Sequence, residues 1–459
     1  MSTAAEKFSI DAEKKAFDKE HRRKINFNIG KYESAVKLGA YQFSDHELGR
    51  KRASFIKTQV LENLDKYLME FENNFTKQGG KVIWARDGKE ALAEIEKIFK
   101  AKEATSVVKS KTMTSEEIHL NEFLENKNVE VIETDLGEYI VQLAGQKPYH
   151  IVTPAMHMSR QDVSDLFVEK LKVPYTEDPQ ELTLIARELL RQKYLTADIG
   201  ITGANFILAD IGGISITENE GNARLTTTFP KTQITLVGIE KLLPSIIDLG
   251  LFLPMLAHSG TGQQVTVYNT ILTGPRKIDE TDGPEEMYVV LIDNGRSELL
   301  ADLEKRQVLS CIRCGACLNA CPVYKNIGGH TYNTTYSGPI GSVITPHFQG
   351  MEDFKHLSYA SSLCGACTSV CPVKIDIHNL LLLNRRQSVK EGLANKWEVR
   401  GFKAWTMLMK NRSWINLGSG SLKNFFISVF FKKMWGEKRE LPQLAEKSFN
   451  EQWKERKKK

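Results

Sequence analysis

Cysteine is missing from the first 310 residues and from the last 88; all seven cysteines of this 459-residue chain fall between positions 311 and 371. Their odd number and crowding exclude a disulfide framework spread through a secreted fold and point to thiols gathered for metal. Long apolar runs are missing too. No stretch approaches the roughly 18 residues of a membrane-spanning helix, and the longest candidate, "FFISVFF" at 425–431, has lysines on both sides. The N-terminus, "MSTAAEKFSIDAEKK", carries charges where a secretory signal would need an apolar stretch, so the chain is expected to be cytoplasmic. Low-complexity segments are absent. The apolar fraction of 41% and charged fraction of 26% are those of an ordinary globular protein long enough for two or three cores.

The formal net charge of +5 hides an asymmetry. From Leu381 to Lys459 there are 19 Lys/Arg against 7 Asp/Glu, a net of +12, which leaves about −7 for the remainder. A basic tail ending "KERKKK" suits an acidic partner, an anionic membrane face or nucleic acid, and is also the composition of a solvated helix with a frayed end. Peripheral membrane contact through this tail is carried forward as an expectation; nucleic acid is not expected as a partner.

Residues 1–75 read as a polar helical extension, with apolar residues three and four apart in "SFIKTQVLENLDKYLMEFENNF". From "KVIWA" (81–85) onward, short β-type runs alternate with helical patterns. "TSVVKS" (105–110), "VEVIETD" (129–135), "HIVTP" (150–154), "DIGITGANF", "GGISITE", "TQITLVG" and "QVTVYNTILTG" are strand candidates, and 159–171 and 180–196 are helical. This alternation predicts an α/β domain with a mostly parallel sheet over 76–300. The cysteines occupy 301–380, where the 42 residues between Cys321 and Cys364 read as an ordered loop insertion. Residues 381–459 form a basic helical tail whose tryptophans are expected to be core or docking anchors.

The cysteines form one internal repeat. "CIRCGACLNACPV" places Cys311, Cys314, Cys317 and Cys321, and "SSLCGACTSVCPV" places Cys364, Cys367 and Cys371, with Ser361 where a fourth would stand. Three thiols at C-x2-C-x2-C wrap one face of a [4Fe–4S] cubane, and in two-cluster ferredoxins the C-P cysteine crosses to the other cluster. By that rule the first cluster is held by Cys311, Cys314, Cys317 and Cys371. The second is held by Cys321, Cys364 and Cys367, its fourth position open to Ser361, a nearby histidine (His330, His347, His356 or His378), water, or a three-iron form. Structural zinc also uses C-x2-C knuckles, but zinc ribbons pair two knuckles without the third cysteine and the closing C-P. A G-x-G-x-x-G after a strand is absent and "GTGQQ" (260–264) is too short for one, so the chain is expected to pass electrons without holding a nucleotide cofactor.

"SKTMTSEEIHLNEFLE" (110–125), "ETDLGEYIVQLAGQKPYHIVTPAMH" (133–157), "TENEGNARLTTTFP" (217–230) and the two cysteine motifs, with "TYSGPIG" between them, together resemble the lactate utilization protein B (LutB) family. The resemblance spans about 70–455. It implies a LUD domain similar to sugar-phosphate isomerases (NagB/RpiA) and CoA transferases, a small ferredoxin-like α-helical iron–sulfur domain with two [4Fe–4S] clusters, and helical termini. It further implies an electron-transfer subunit of an oxidoreductase complex that converts L-lactate to pyruvate, with a LutA-like cysteine-rich protein and a LutC-like LUD protein as partners. The alternative is an acyl- or CoA-transferase-like enzyme with structural clusters. In that reading Glu218 or Glu220 of "TENEGN" would be a nucleophile, or Arg224 would bind a small carboxylate; a plain surface turn explains the same loop. Ser115 is read as a helix cap, with Glu117 in the first turn.

Overall fold

The structure, a computed structural model, describes residues 3–436 and 440–457. Its strands are β1 (Lys81–Ala85), β2 (Ser106–Lys109), β3 (Glu130–Glu133), β4 (Ile199–Thr202), β5 (Phe206–Leu208), β6 (Gly213–Glu218), β7 (Thr232–Gly238), β8 (Leu242–Leu243), β9 (Tyr268–Leu272) and β10 (Glu286–Ile292). Six of them form a wholly parallel sheet in the order β1-β10-β7-β4-β2-β3. The inner strands β4 and β7 are buried along their whole length, as parallel strands covered on both faces must be. Polar Gln233 is tolerated there because its Nε2 donates to Thr202 Oγ1 at 2.9 Å.

The helices between these strands start on side-chain caps. Asp87, Asp135 and Ser159 accept the backbone N–H of Glu90, Glu138 and Asp162, and Pro179 opens the helix Pro179–Thr196 behind Asp178. Chain order turns at β2, which has β3 on one side and β4 on the other. Such a reversal opens a crevice at the carboxyl ends of the strands, where open α/β sheets take ligands.

A second sheet, β8-β5-β6-β9, is mixed: β5 and β9 run antiparallel to β6, and β8 parallel to β5. The runs 198–206, 212–218 and 264–274 thus each contain strand as predicted, over shorter bounds, but only Ile199–Thr202 of them lies in the parallel sheet. "HIVTP" is not a strand. Tyr149 N–H donates to the Pro154 carbonyl at 2.9 Å, closing a turn whose His150 is buried and whose Ile151 faces the cysteines. The segment between Cys321 and Cys364 is mainly helical, with helices Pro322–Ile327, Gly338–Gln349 and Met351–Phe354; a proline at the first turn starts each of the first two.

The chain divides into two compact units, Met1–Ser388 and Val389–Lys459. In the first, the N-terminal helices are part of the core: Ile25, Ile29, Ala53 and Leu61 share one apolar cluster with Cys314, Cys317, Cys321, Cys367 and Cys371. In the second, the helices Lys396–Lys410 and Gly420–Trp435 leave their large apolar side chains in solvent, among them Trp397, Phe402, Trp405, Phe430 and Trp435. Asn424 ties the latter helix to Leu444 by two hydrogen bonds of 2.8–2.9 Å. The tryptophans therefore do not build a core in this unit. The last two lysines of "KERKKK" lie outside the described residues.

Candidate metal centres and the adjoining cavity

The two CGAC turns are built alike. Arg313 and Leu363 take left-handed backbone angles (φ 60° and 54°), and Gly315 and Gly365 follow at 81° and 78°. The glycines bear this conformation without the strain a side chain would add. Cys311 Sγ accepts the N–H of Arg313 at 3.4 Å; in the second copy Ser361 Oγ accepts the N–H of Leu363 at 3.1 Å. The serine oxygen therefore holds the place in its turn that a sulfur holds in the other.

Cys311, Cys314, Cys317 and Cys371 all border one small apolar cavity, closed by Leu318, Ile340, Val373 and Ile375. Arg50, from the N-terminal helix His46–Glu62, clamps the chain there: its Nε and Nη2 donate to the Cys371 carbonyl at 3.1 and 2.9 Å. Burial pushes the Cys371 thiol up to about 11, and burial together with the neighbouring cysteines pushes Cys314 and Cys317 higher still. Thiols this dry ionise at neutral pH only when a cation arrives with them. Cys321, Cys364 and Cys367 form the other group: Cys364 raises the thiols of Cys321 and Cys367, and Cys321 raises that of Cys367. Cys321 and Cys367 are buried, whereas Cys364 is exposed and its thiol is lowered by the N–H of Ala366.

Among the described residues no three Cys, His, Asp or Glu side chains converge on a single-ion site. The first four thiols surround a space instead, which fits a multi-iron core better than one tetrahedral zinc. Each of the four histidines near the second motif is engaged with a neighbour. His330 Nε2 donates to the Lys147 carbonyl and His356 Nδ1 to the Asp353 carbonyl, while His347 meets Asn384 Oδ1 and His378 meets Thr368 Oγ1.

A buried ionic network joins the cysteine segment to the parallel sheet. Glu117 accepts both terminal nitrogens of Arg296 at 2.9 Å, Asn294 Nδ2 at 2.6 Å and the Tyr336 hydroxyl at 2.7 Å. Arg296 Nε donates to Glu240 at 2.6 Å, and Arg313 Nη2 lies 3.5 Å from the other Glu240 oxygen. Burial alone would raise the Glu240 carboxyl, but Arg296 and Arg313 overcome it and hold it at about 2. Lys57 reaches in from the N-terminal helices to donate to the carbonyls of Glu240 and Leu242, and burial lowers its ammonium to about 7.

A cavity of about 570 Å³ opens at the carboxyl ends of the parallel strands. Ser110–Thr114 follow β2, Asp135 follows β3, Gly203–Asn205 follow β4 and Lys241 follows β7, all lining it. Glu218 and Glu220 line it too, as do Arg313 and Cys314, which also border the thiol cavity. Gly260 presses on Cys314: a Cβ there would lie 2.4 Å from the Cys314 carbonyl oxygen.

The structure places the glutamates of "TENEGN" in this cavity but gives both a backbone anchor. Glu218 accepts the N–H of Ala223 and Arg224 at 2.7 and 2.9 Å, capping the helix Asn222–Thr228, and Glu220 accepts the N–H of Leu136 at 3.0 Å. Burial, followed by the nearby Asp135, pushes Glu220 up to about 7. Arg224 is exposed and its guanidinium lies over the Tyr268 ring at 5.1 Å. The short helix Met113–Glu117 is capped by Thr112, not Ser115, and Glu117 ends it, because the buried Arg296 draws the carboxylate inward. Sequence reading missed Lys57, Glu240, Lys241, Arg296 and Arg313. Each looks like an ordinary surface charge in its local stretch, and no local pattern marks it.

The LUD domain family model matches residues 68–292, and the 4Fe-4S dicluster domain model matches 307–375. The chain is 48% identical over 389 residues to Lactate utilization protein B of Bacillus subtilis (strain 168), covering 84% of this chain and 80% of that protein. It is 44% identical over 435 residues to the protein of the same name from Geobacillus kaustophilus (strain HTA426), covering 92% and 91%. A crystal structure of a duf162 family protein from Deinococcus radiodurans aligns with 50% of this chain and 98% of its own at 12% identity and a TM-score of 0.29, too slight a likeness to bear on the fold.

Proposed function

The chain belongs to the lactate utilization protein B family, and on that premise we propose that it is the iron–sulfur electron-transfer subunit of a complex oxidising L-lactate to pyruvate. The observation that carries this is the gathering of Cys311, Cys314, Cys317 and Cys371, two motifs' worth of thiols, around one apolar cavity. The first cluster's ligands are these four, and the second cluster's are Cys321, Cys364 and Cys367. Bound clusters each store one electron, so a pair matches the two electrons released when a 2-hydroxy acid becomes a 2-oxo acid. The chain's own residues keep water from the first site: Leu318, Ile340 and Val373 wall it, and Arg50 holds the Cys371 backbone carbonyl.

A LutA-like cysteine-rich protein and a LutC-like LUD protein complete the complex in this reading. The exposed tryptophans and phenylalanines of Val389–Lys459, set among lysines and arginines, support peripheral contact with an anionic membrane face. No helix among the described residues is long and apolar enough to cross a membrane. The alternative, an acyl- or CoA-transferase-like enzyme, would need Glu218 or Glu220 free to attack, and both are held by backbone N–H groups.

Deleting the gene is expected to abolish growth on L-lactate as sole carbon source, restored by the intact gene but not by the Cys317→Ala variant. Anaerobically purified protein holding stoichiometric zinc and no iron would overturn the proposal. The equivalence of Ser361 and Cys311 in their turns leads to a second expectation. Ser361→Ala should shift the electron paramagnetic resonance (EPR) signal of the second cluster towards a three-iron type, while Ser361→Cys keeps a four-iron signal. An unchanged signal in Ser361→Ala would remove the serine as a ligand.

A further inference from the structure

The charges in the buried network do not cancel. Glu117, Arg296, Glu240 and Arg313 balance one another. Lys57, held by backbone carbonyls, and Lys241, only 9% exposed, are further buried cations; Glu240 and Cys311 act on the charge of Lys241, but among the described residues its ammonium has no hydrogen bond or ion pair. Arg313 Nη1, also buried, lacks a hydrogen-bond partner. Buried cationic N–H groups left without a hydrogen-bond partner are costly to the fold. Both side chains line the cavity at the strand ends, so an anion that satisfies them must arrive through that cavity.

We propose that the cavity binds a small organic monocarboxylate, its carboxylate seated between Lys241 and Arg313 on the wall shared with the Cys311–Cys317 turn. The other charges lining the cavity narrow the class. Asp135, Glu218 and Glu220 outnumber Lys111, which lies 3.1 Å from Glu138, and would repel a second negative charge, which disfavours phosphates and dicarboxylates. The same oxygens, with Asn222 beside them, accept from or donate to a neutral hydroxyl or keto group. A 2-hydroxy or 2-oxo acid meets both demands. The inference deepens the electron-transfer reading and rests on it in one respect: a ligand seated here touches Arg313 and Cys314, and so reports to the first cluster.

The test uses full-length, cluster-loaded protein purified anaerobically, titrated calorimetrically with L-lactate and with pyruvate, and with inorganic phosphate for comparison. At least one acid is expected to bind at one per chain and to shift the EPR signal of the reduced first cluster. Lys241→Met should weaken that binding about ten- to a hundredfold, the value of a charge-assisted hydrogen bond, and remove the shift, while Lys241→Arg retains most of both. The fold of each variant is checked by its thermal melt. Absence of binding by either acid overturns the proposal, as does Lys241→Met binding as tightly as wild type, or phosphate binding as tightly as the acids. A Lys241→Met protein with an altered EPR signal and intact binding would mean that the lysine serves the cluster alone. Protein that takes up electrons from lactate through its partners yet binds neither acid overturns this inference and leaves the electron-transfer reading standing. Protein that binds the acid but holds zinc does the reverse.

Discussion

Cys371→Ala is expected to abolish the first cluster, although the residue belongs to the second motif. Iron should fall from about eight per chain to about four, the content of one remaining cubane. The variant should match Cys317→Ala in its EPR spectrum and differ from Cys367→Ala, in which the second cluster is lost. The reason is spatial: Cys371 borders the same cavity as Cys311, Cys314 and Cys317, and its carbonyl is pinned there by Arg50. The thermal midpoint should fall as well, because the remaining buried thiols lose the iron that lets them ionise. If Cys371→Ala instead removed only the second cluster's signal, each motif would hold its own iron and the crossed pairing would be wrong.

The second large effect is expected at Arg296. Replacing it by methionine leaves Glu117 a buried carboxylate without its cation and Glu240 with Arg313 alone, a loss of about 3–5 kcal/mol by comparison with other broken buried pairs. The thermal midpoint should drop by on the order of 5–10 °C. Glu117 also holds the Tyr336 hydroxyl, and Glu240 faces Arg313, so the cysteine segment should loosen and iron be lost faster to a chelator. Adding Glu117→Gln and Glu240→Gln to Arg296→Met should recover part of the stability by removing the stranded charges. Acid acts on the same network. Both carboxyls sit below their usual 4.5, Glu240 at about 2, so their contribution is complete above about pH 4.5 and is lost as pH falls towards 2. A melt of Arg296→Met as stable as wild type would place the joint between sheet and cysteine segment elsewhere.

Much of the architecture was legible because its signals are local. "KVIWA" is β1 to the residue, "TQITLVG" is β7, and the helices at 159–171 and 180–196 stand within a residue of their predicted bounds. Where reading failed, a distant partner decided the outcome. "HIVTP" has the composition of a strand but turns back because it lies against the cysteine turn, with Ile151 at the thiol cavity. Phe206, at the end of "DIGITGANF", and "GGISITE" belong to strands of a different sheet, since the short turn between them favours antiparallel pairing. Ser115 had the look of a cap, yet its hydroxyl is taken by Lys109 Nζ and the Thr112 carbonyl.

The amino-acid sequence alone determined the alternation of strands and helices, the thiol spacing and the family, because each is written in residues a few positions apart. Tertiary structure alone decided that the N-terminal helices share a core with the cysteines. It also decided that Glu117, Glu240, Arg296 and Arg313, spread over some 200 residues, form one ionic joint, and that Lys241 faces a cavity walled by Cys314. Such charges have no local pattern: a lysine on a surface loop and a buried one with no hydrogen-bond partner read the same. What separates them is the burial imposed by segments far away in the chain, and only the folded arrangement carries that.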